Sequence, residues 1–297
     1  MKFKGVVAAI VTPFDENGRI DEKALRELCK FEVRKNVNGV FALGTTGEGT
    51  LQDVEERKFA AEVIMDELRG KLPVVLHVGD LSIRNVWELS KHAVDLKVDA
   101  ITSITPYYYR LTDGQLKDYY LELSKNVPED YPVYIYNFPG ITNNDVKTHI
   151  VKELIDETKN IVGIKFSSSD MIRLQEYIAL KSDRFSVLSG CDPLFYTMLS
   201  MGCDGLVSGN SNVNPDIFVK IYGAYTNGEY KKAEGLQAYA RATADLLRDG
   251  NIAVIKAGMK VNGLNGGYVR KPLQNLDVES TEVLLHNLKK LMCKVEG

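Results

Sequence analysis

Eight short apolar runs, most of them rich in β-branched residues, recur between Val6 and Ser208, each separated from the next by a longer stretch with helical spacing. The runs are Val6–Thr12, Val40–Leu43, Val74–Val78, Ala100–Thr105, Val133–Tyr136, Ile161–Phe166, Ser186–Ser189 and Leu206–Ser208. They are largely continuous rather than alternating, the pattern of parallel strands buried on both faces. Between them, Asp21–Lys35 places Ala24, Leu25, Leu28, Phe31 and Val33 at helical spacing behind an acidic start. Asp53–Leu68 repeats the pattern with Val54, Phe59, Ala60, Val63, Ile64 and Leu68. Glycine and proline close the units at Gly44, Gly70–Pro73, Gly79, Pro106, Pro139, Gly190 and Gly209, where they break either kind of element.

Eight such βα units of about 20–35 residues each predict a (β/α)8 TIM barrel, an α/β fold. A doubly wound sheet is disfavoured, because Pro13-Phe14 follows the first strand where a Gly-x-Gly-x-x-Gly turn would stand. Beyond the barrel, Tyr230–Leu247, Ile252–Val261 and Val278–Met292 read as helices, broken by Gly250 and the Gly263–Pro272 loop. A helical segment of about 70 residues would have a marginal core alone. Residues 1–225 are therefore expected to form the barrel, and residues 226–297 a C-terminal extension packed on it.

Composition excludes several function classes. Apolar residues make up 44% and charged residues 26%, with a net charge of -3, so generic attraction to nucleic acid or anionic lipid is not expected. No apolar run approaches the roughly 20 residues that span a bilayer. Met1-Lys2-Phe3-Lys4 leads into a strand-like run without a small-residue cleavage site, unlike a signal peptide. The four cysteines (Cys29, Cys191, Cys203 and Cys293) lack Cys-x-x-Cys spacing, and only four histidines accompany them. Neither a disulfide framework nor a zinc site is expected, and the chain reads as soluble, reduced and cytoplasmic.

Catalytic groups of such barrels sit at the C-terminal ends of strands. Lys165 lies inside the apolar run Ile161-Val162-Gly163-Ile164-Lys165-Phe166. Burial disfavours its ammonium form and makes the neutral amine available for imine formation with a ketone or aldehyde. On pattern alone, a strand-end lysine that snorkels to solvent or pairs with a carboxylate is the plainer reading. Gly44-Thr45-Thr46-Gly47-Glu48-Gly49 offers hydroxyls and amide N–H groups for a carboxylate or phosphate. It reads equally well as a tight turn with a threonine cap, and it lacks the Gly-Lys-Ser/Thr ending of a nucleotide loop. Tyr107, Tyr108 and Tyr109 suit packing at a subunit contact, and Tyr136 suits a barrel-filling aromatic. His77 is expected to be a satisfied core histidine, and the Lys/Glu-rich helices to be solvated faces.

Taken in order, Ala9-Ile10-Val11-Thr12-Pro13-Phe14, Gly44-Thr45-Thr46-Gly47-Glu48, Thr105-Pro106-Tyr107-Tyr108, Tyr136-Asn137-Phe138-Pro139, Gly163-Ile164-Lys165 and Arg270-Lys271-Pro272-Leu273 resemble the pyruvate-dependent class I aldolase/lyase family. That family includes dihydrodipicolinate synthase, N-acetylneuraminate lyase and 2-keto-3-deoxy sugar acid aldolases. The resemblance implies that Lys165 forms the Schiff base and that Tyr136 shuttles protons. It implies that Thr45 and Thr46 bind the pyruvate carboxylate, with Thr45 relaying protons. Tyr108 would complete that relay across a subunit contact, in a homotetramer built as a dimer of dimers. Val207 matches the position whose carbonyl lies near the keto acid. Neither a metal nor an organic cofactor is implied.

The second substrate is where the sequence departs from one branch. Dihydrodipicolinate synthases carry an arginine two residues after the proline of the Tyr-Asn-x-Pro motif, where this chain has Ile141. Losing a bidentate cation at a carboxylate site costs on the order of 2–5 kcal/mol. Asp192 and Ser167 match pocket positions of the neuraminate branch, although Pro193 replaces an acidic neighbour there, and Ser208-Gly209-Asn210-Ser211 could add donors and acceptors. The favoured expectation is a lyase on a 2-keto-3-deoxy sugar acid or an N-acetylneuraminate-like substrate, with pyruvate and an aldehyde as partners. The alternatives are 4-hydroxy-tetrahydrodipicolinate synthase, condensing pyruvate with aspartate semialdehyde, and a non-catalytic 2-keto acid binding protein.

Overall fold

The computed structural model describes residues 2–296. Met1 and Gly297, the outer ends of the two expected segments, lie outside the described residues. Eight parallel strands close into a barrel in sequence order: β1 (Gly5–Ala9), β2 (Gly39–Ala42), β3 (Val74–His77), β4 (Ala100–Ile104), β5 (Val133–Asn137), β6 (Ile161–Phe166), β7 (Ser186–Ser189) and β8 (Gly205–Ser208). Pairing of β1 with β8 closes the ring. All eight predicted runs become strands, and their ends differ by a few residues. The clearest difference is at β1, which stops at Ala9 because the Val11 N–H is taken by the Asn212 side chain at 3.0 Å instead of a neighbouring strand.

The helices that wrap the barrel are α1 (Glu22–Arg34), α2 (Val54–Leu68), α3 (Ile83–Asp95), α4 (Asp113–Lys125), the short α5 (Pro139–Thr142), α6 (Thr148–Glu157), α7 (Met171–Ile178), α8 (Phe195–Met201) and α9 (Pro215–Thr226). Local chemistry starts several of them. Asp21 caps α1 by accepting the Ala24 N–H, and Asp53 with Glu56 forms a reciprocal capping box at α2. Each such cap is worth about 1 kcal/mol. After the barrel come α10 (Tyr230–Leu246), α11 (Ile252–Gly258) and α12 (Val278–Glu296). The predicted helix Ile252–Val261 is α11 followed by a 3₁₀ turn, Met259–Asn262. α10 packs along α9 and against the turn Asp192–Leu194, which brings it to the barrel mouth. Among the described residues, no helix is long and apolar enough to cross a membrane.

The core has two layers. Inside the barrel, Phe3, Val7, Phe41, Val75, Tyr134, Tyr136, Leu188 and Val207 fill the lumen, with the Tyr134 hydroxyl accepting the Phe3 N–H at 2.9 Å. The second, larger cluster lies between strands and helices. The helices are not simply solvated on their charged faces, contrary to the sequence expectation. Glu32 of α1 and Arg57 of α2 are both buried. Arg57 donates to the carbonyls of His77 and Gly79, at 2.6 and 3.0 Å, and so tethers α2 to the end of β3. Helical spacing placed these residues on the inner face, but a charge-based reading sorted them outward.

Closure leaves no room for a side chain at one strand contact. A Cβ at Gly205 would strike the backbone of Gly5 across the β1–β8 seam. Gly205→Ala is therefore expected to destabilise the barrel by about 1–3 kcal/mol, read as a lower midpoint in thermal unfolding at fixed scan rate. An unchanged midpoint would show that the seam yields freely.

Candidate active site

Lys165 projects from β6 into the mouth of the barrel, in register with Tyr136 of β5. It is only 6% exposed. Its Nζ lies 4.0 Å from the Tyr136 ring centroid and 4.2 Å from that of Phe41. Among the described residues, no ion pair or hydrogen bond occupies it. Neither plain reading of this lysine holds, since it neither snorkels to bulk water nor meets a carboxylate. With no acceptor to hold it, the Nζ group is free to approach a carbonyl carbon in the cavity that Lys165 lines.

The neighbours of Lys165 include a pair of hydroxyls within reach of each other. Tyr136 is buried, its ring edge-on to Phe41 with centroids 5.5 Å apart. Its hydroxyl lies 3.2 Å from Thr45 Oγ1, and either oxygen can donate. His77 stands edge-on to Tyr136 at 6.1 Å, and its Nε2 accepts the Ile104 N–H at 3.1 Å. Burial, with the nearby Arg57 and Lys165 cations, pushes the imidazolium well below its usual range. His77 is thus the neutral core histidine expected from the sequence.

A cavity of about 640 Å³ opens over these groups. Eight of the nine residues singled out in the sequence line it: Thr45, Thr46, Tyr136, Ile141, Lys165, Ser167, Asp192 and Val207. Ile141 sits in α5, half-exposed at the rim. The ninth residue, Tyr108, stands apart on the loop after β4. It has a left-handed backbone (φ +75°) and an 81% exposed side chain set edge-on against Tyr109 at 5.0 Å. Within one chain, therefore, Tyr108 is not part of the cavity. Sequence reasoning missed Arg241 and Asp249, which reach the rim from α10 and the turn after it. No strand end carries them, and their surface-like spacing gives no signal. A smaller hollow of about 330 Å³ between α10 and α12 contains none of the nine.

Two lining residues, Asp192 and Asn210, carry a buried oxygen that lacks a donor. Asp192 Oδ2 accepts the Asn210 N–H at 3.4 Å, whereas Asp192 Oδ1 and Asn210 Oδ1 have no donor. Burial pushes the Asp192 carboxyl up to about 7, partly offset by hydrogen bonds from Ser208 and Asn210 and by the Lys165 charge. A buried oxygen without a donor is costly.

The match to known proteins covers nearly the whole chain. The model of the dihydrodipicolinate synthetase family matches residues 2–291. The chain belongs to this family. It is 32% identical to the 4-hydroxy-tetrahydrodipicolinate synthase of Methanopyrus kandleri over 298 residues, covering 100% of this chain and 99% of that protein. It is also 32% identical to the N-acetylneuraminate lyase of Lactiplantibacillus plantarum over 277 residues, covering 93% and 94% of the two chains. Among solved structures it superposes on a prophage protein of the dihydrodipicolinic acid synthase family from E. coli K12 in complex with pyruvate. That match has a TM-score of 0.92 and 29% identity, over 98% of this chain and 99% of the other. The protein is thus a class I lyase/aldolase of the dihydrodipicolinate synthetase family, acting through a lysine Schiff base on a (β/α)8 barrel.

The Asp192 carboxyl gives this family member a pH signature. Its native proton is held to about 7 against an ordinary value of 3.8, so the unfolded chain releases that proton first. The native state binds the extra proton throughout that window, and stability falls as pH rises through it, then levels off above about 7. Asp192→Asn is expected to flatten this part of the thermal-midpoint profile. Parallel profiles for the two proteins between pH 4 and pH 7 would contradict the assignment.

Proposed function

We propose that this enzyme cleaves a 2-keto-3-deoxy sugar acid, or a closely related hydroxylated 2-keto acid, to pyruvate and an aldehyde through an imine at Lys165. The Lys165 amine adds to the keto carbon and water leaves, giving an iminium. Tyr136, in contact with Thr45, gives its phenolic proton to the hydroxyl that leaves as water, and the resulting phenolate then takes the proton of the C4 hydroxyl; the C3–C4 bond breaks, and its electron pair flows into the iminium to give an enamine. The aldehyde departs, the enamine is protonated at C3, and hydrolysis of the imine releases pyruvate. Thr45 and Thr46 hold the carboxylate at the turn after β2, with Val207 opposite. Tyr108 enters from a neighbouring copy in a homotetramer, which accounts for its exposure. The four free cysteines suit the cytoplasm.

The observation that carries the substrate class is the lining of the cavity, where the hydrocarbon of Ile141 stands with the polar side chains of Ser167, Asp192 and Asn210. Hydroxyl groups on the departing fragment would hydrogen-bond with such a lining. A second reading is 4-hydroxy-tetrahydrodipicolinate synthase, the activity in the name of the Methanopyrus kandleri relative. Arg241 at the rim favours it, since aspartate semialdehyde needs a cation for its carboxylate. That guanidinium already pairs with Asp245 at 2.6 Å, and Ile141 offers no replacement, so the polyhydroxy reading stands first.

Borohydride with pyruvate is expected to leave a stable adduct on Lys165, located by peptide mass spectrometry, and none after Lys165→Ala. An adduct on another residue would overturn the assignment. In a pyruvate-release screen over 2-keto-3-deoxy acids, N-acetylneuraminate and short 4-hydroxy-2-keto acids, at least one polyhydroxylated substrate should turn over. Tyr136→Phe should lower its kcat by about 10²–10⁴-fold. Efficient condensation of pyruvate with aspartate semialdehyde, without cleavage of any screened acid, would select the second reading.

A further inference from the structure

A second lysine is buried at the same end of the barrel, and its surroundings differ completely from those of Lys165. Lys256 of α11 is 2% exposed and forms an ion pair at 2.5 Å with the fully buried Glu48. Its remaining donors go to the carbonyls of Thr12 at 2.7 Å and Tyr268 at 2.6 Å, and the Phe14 ring lies 4.5 Å away. Its Nζ is thus held by one carboxylate and two carbonyls, and it does not line the cavity. It is not available as a nucleophile.

Glu48 belongs to the turn that carries Thr45 and Thr46. Its backbone is left-handed (φ +53°), and its N–H donates to the Thr45 carbonyl at 3.1 Å. Its second carboxylate oxygen accepts the Arg270 N–H at 2.8 Å. The turn is gripped at its other side as well, where the Gly47 carbonyl accepts from Thr12 Oγ1 at 2.7 Å and from Gln52 at 2.8 Å. Arg270 in turn binds the carbonyls of Gly18 and Leu51 and the Glu56 carboxylate. The threonine turn is thus held from the C-terminal segment, through residues more than 200 positions away in the chain. A glutamate in a left-handed conformation, buried and paired, is an expensive feature that capping a turn does not require.

We propose that Glu48 and Lys256 are positioning residues that fix the Thr45–Thr46 turn for the substrate carboxylate, so that α11 and the segment after it govern affinity for the keto acid. This rests on the reading of Thr45 and Thr46 as carboxylate-binding groups. The pair touches no reacting atom and acts only through the turn. Burial lowers the Lys256 proton affinity and the Glu48 carboxylate restores part of it.

The test is borohydride trapping at Lys165 over a range of pyruvate and methyl pyruvate concentrations, using full-length Glu48→Gln and the charge-free double variant Glu48→Gln/Lys256→Met. The double variant leaves no unpaired charge, so it is expected to fold even where a single substitution does not; near-ultraviolet circular dichroism checks this. The half-saturating pyruvate concentration should rise about tenfold, with the maximal trapped fraction retained. The methyl ester, which has no carboxylate charge, should show little change. Equal losses for acid and ester, or wild-type half-saturation in the folded double variant, would overturn the proposal. Failure of the wild type to trap pyruvate at Lys165 would instead overturn the functional reading beneath it.

Discussion

An amine held in the barrel mouth, between two aromatic rings and without a counter-ion, is the constraint to which the rest of this site answers. A carboxylate in direct contact would tie up the Lys165 amine. The fold withholds it. The surrounding strands are apolar and continuous, the lumen beneath is filled by Tyr134, Phe41 and Leu188, and the nearest ring faces are those of Tyr136 and Phe41. The same dry environment raises the Asp192 carboxyl and keeps His77 neutral.

Two buried lysines at one end of a barrel show how context selects chemistry. Lys256 has a carboxylate and two carbonyls around it, whereas Lys165 has only π faces and a cavity. Both are buried lysines. The difference lies in acceptors, because an amine held by a carboxylate and two carbonyls has no freedom to approach a substrate carbonyl.

The cavity divides into two parts of different origin. One part is built from strand ends and the turns that directly follow them, at β2, β5, β6 and β8. The other adds Ile141 on α5 together with Arg241 and Asp249 from α10 and its following turn. These outlying segments can change without disturbing the barrel's hydrogen-bond ladder. Relatives of the same 32% identity accordingly bear the names of a synthase and of a lyase, and this second part is where a substrate preference can be written.

The eight strands and the order of the chemistry-bearing motifs were legible in the sequence, because continuous apolar runs and glycine or proline breaks are local properties that parallel barrel strands demand. Lys165 stood out for the same reason, as a charge inside an apolar run. The gathering of Thr45, Tyr136, Ile141 and Asp192 around it followed only once strand ends were assigned to one face. Sequence was silent, or misleading, where a residue's meaning depends on partners distant in the chain. Glu32 and Arg57 looked like solvated charges and proved buried, Arg241 and Asp249 gave no periodic signal, and Glu48 found Lys256 more than 200 positions away in the chain. Local pattern determined which elements form and in what order. Tertiary packing alone decided which polar groups lost their water and what replaced it, because desolvation is set by everything within a few ångströms in space and by almost nothing along the chain.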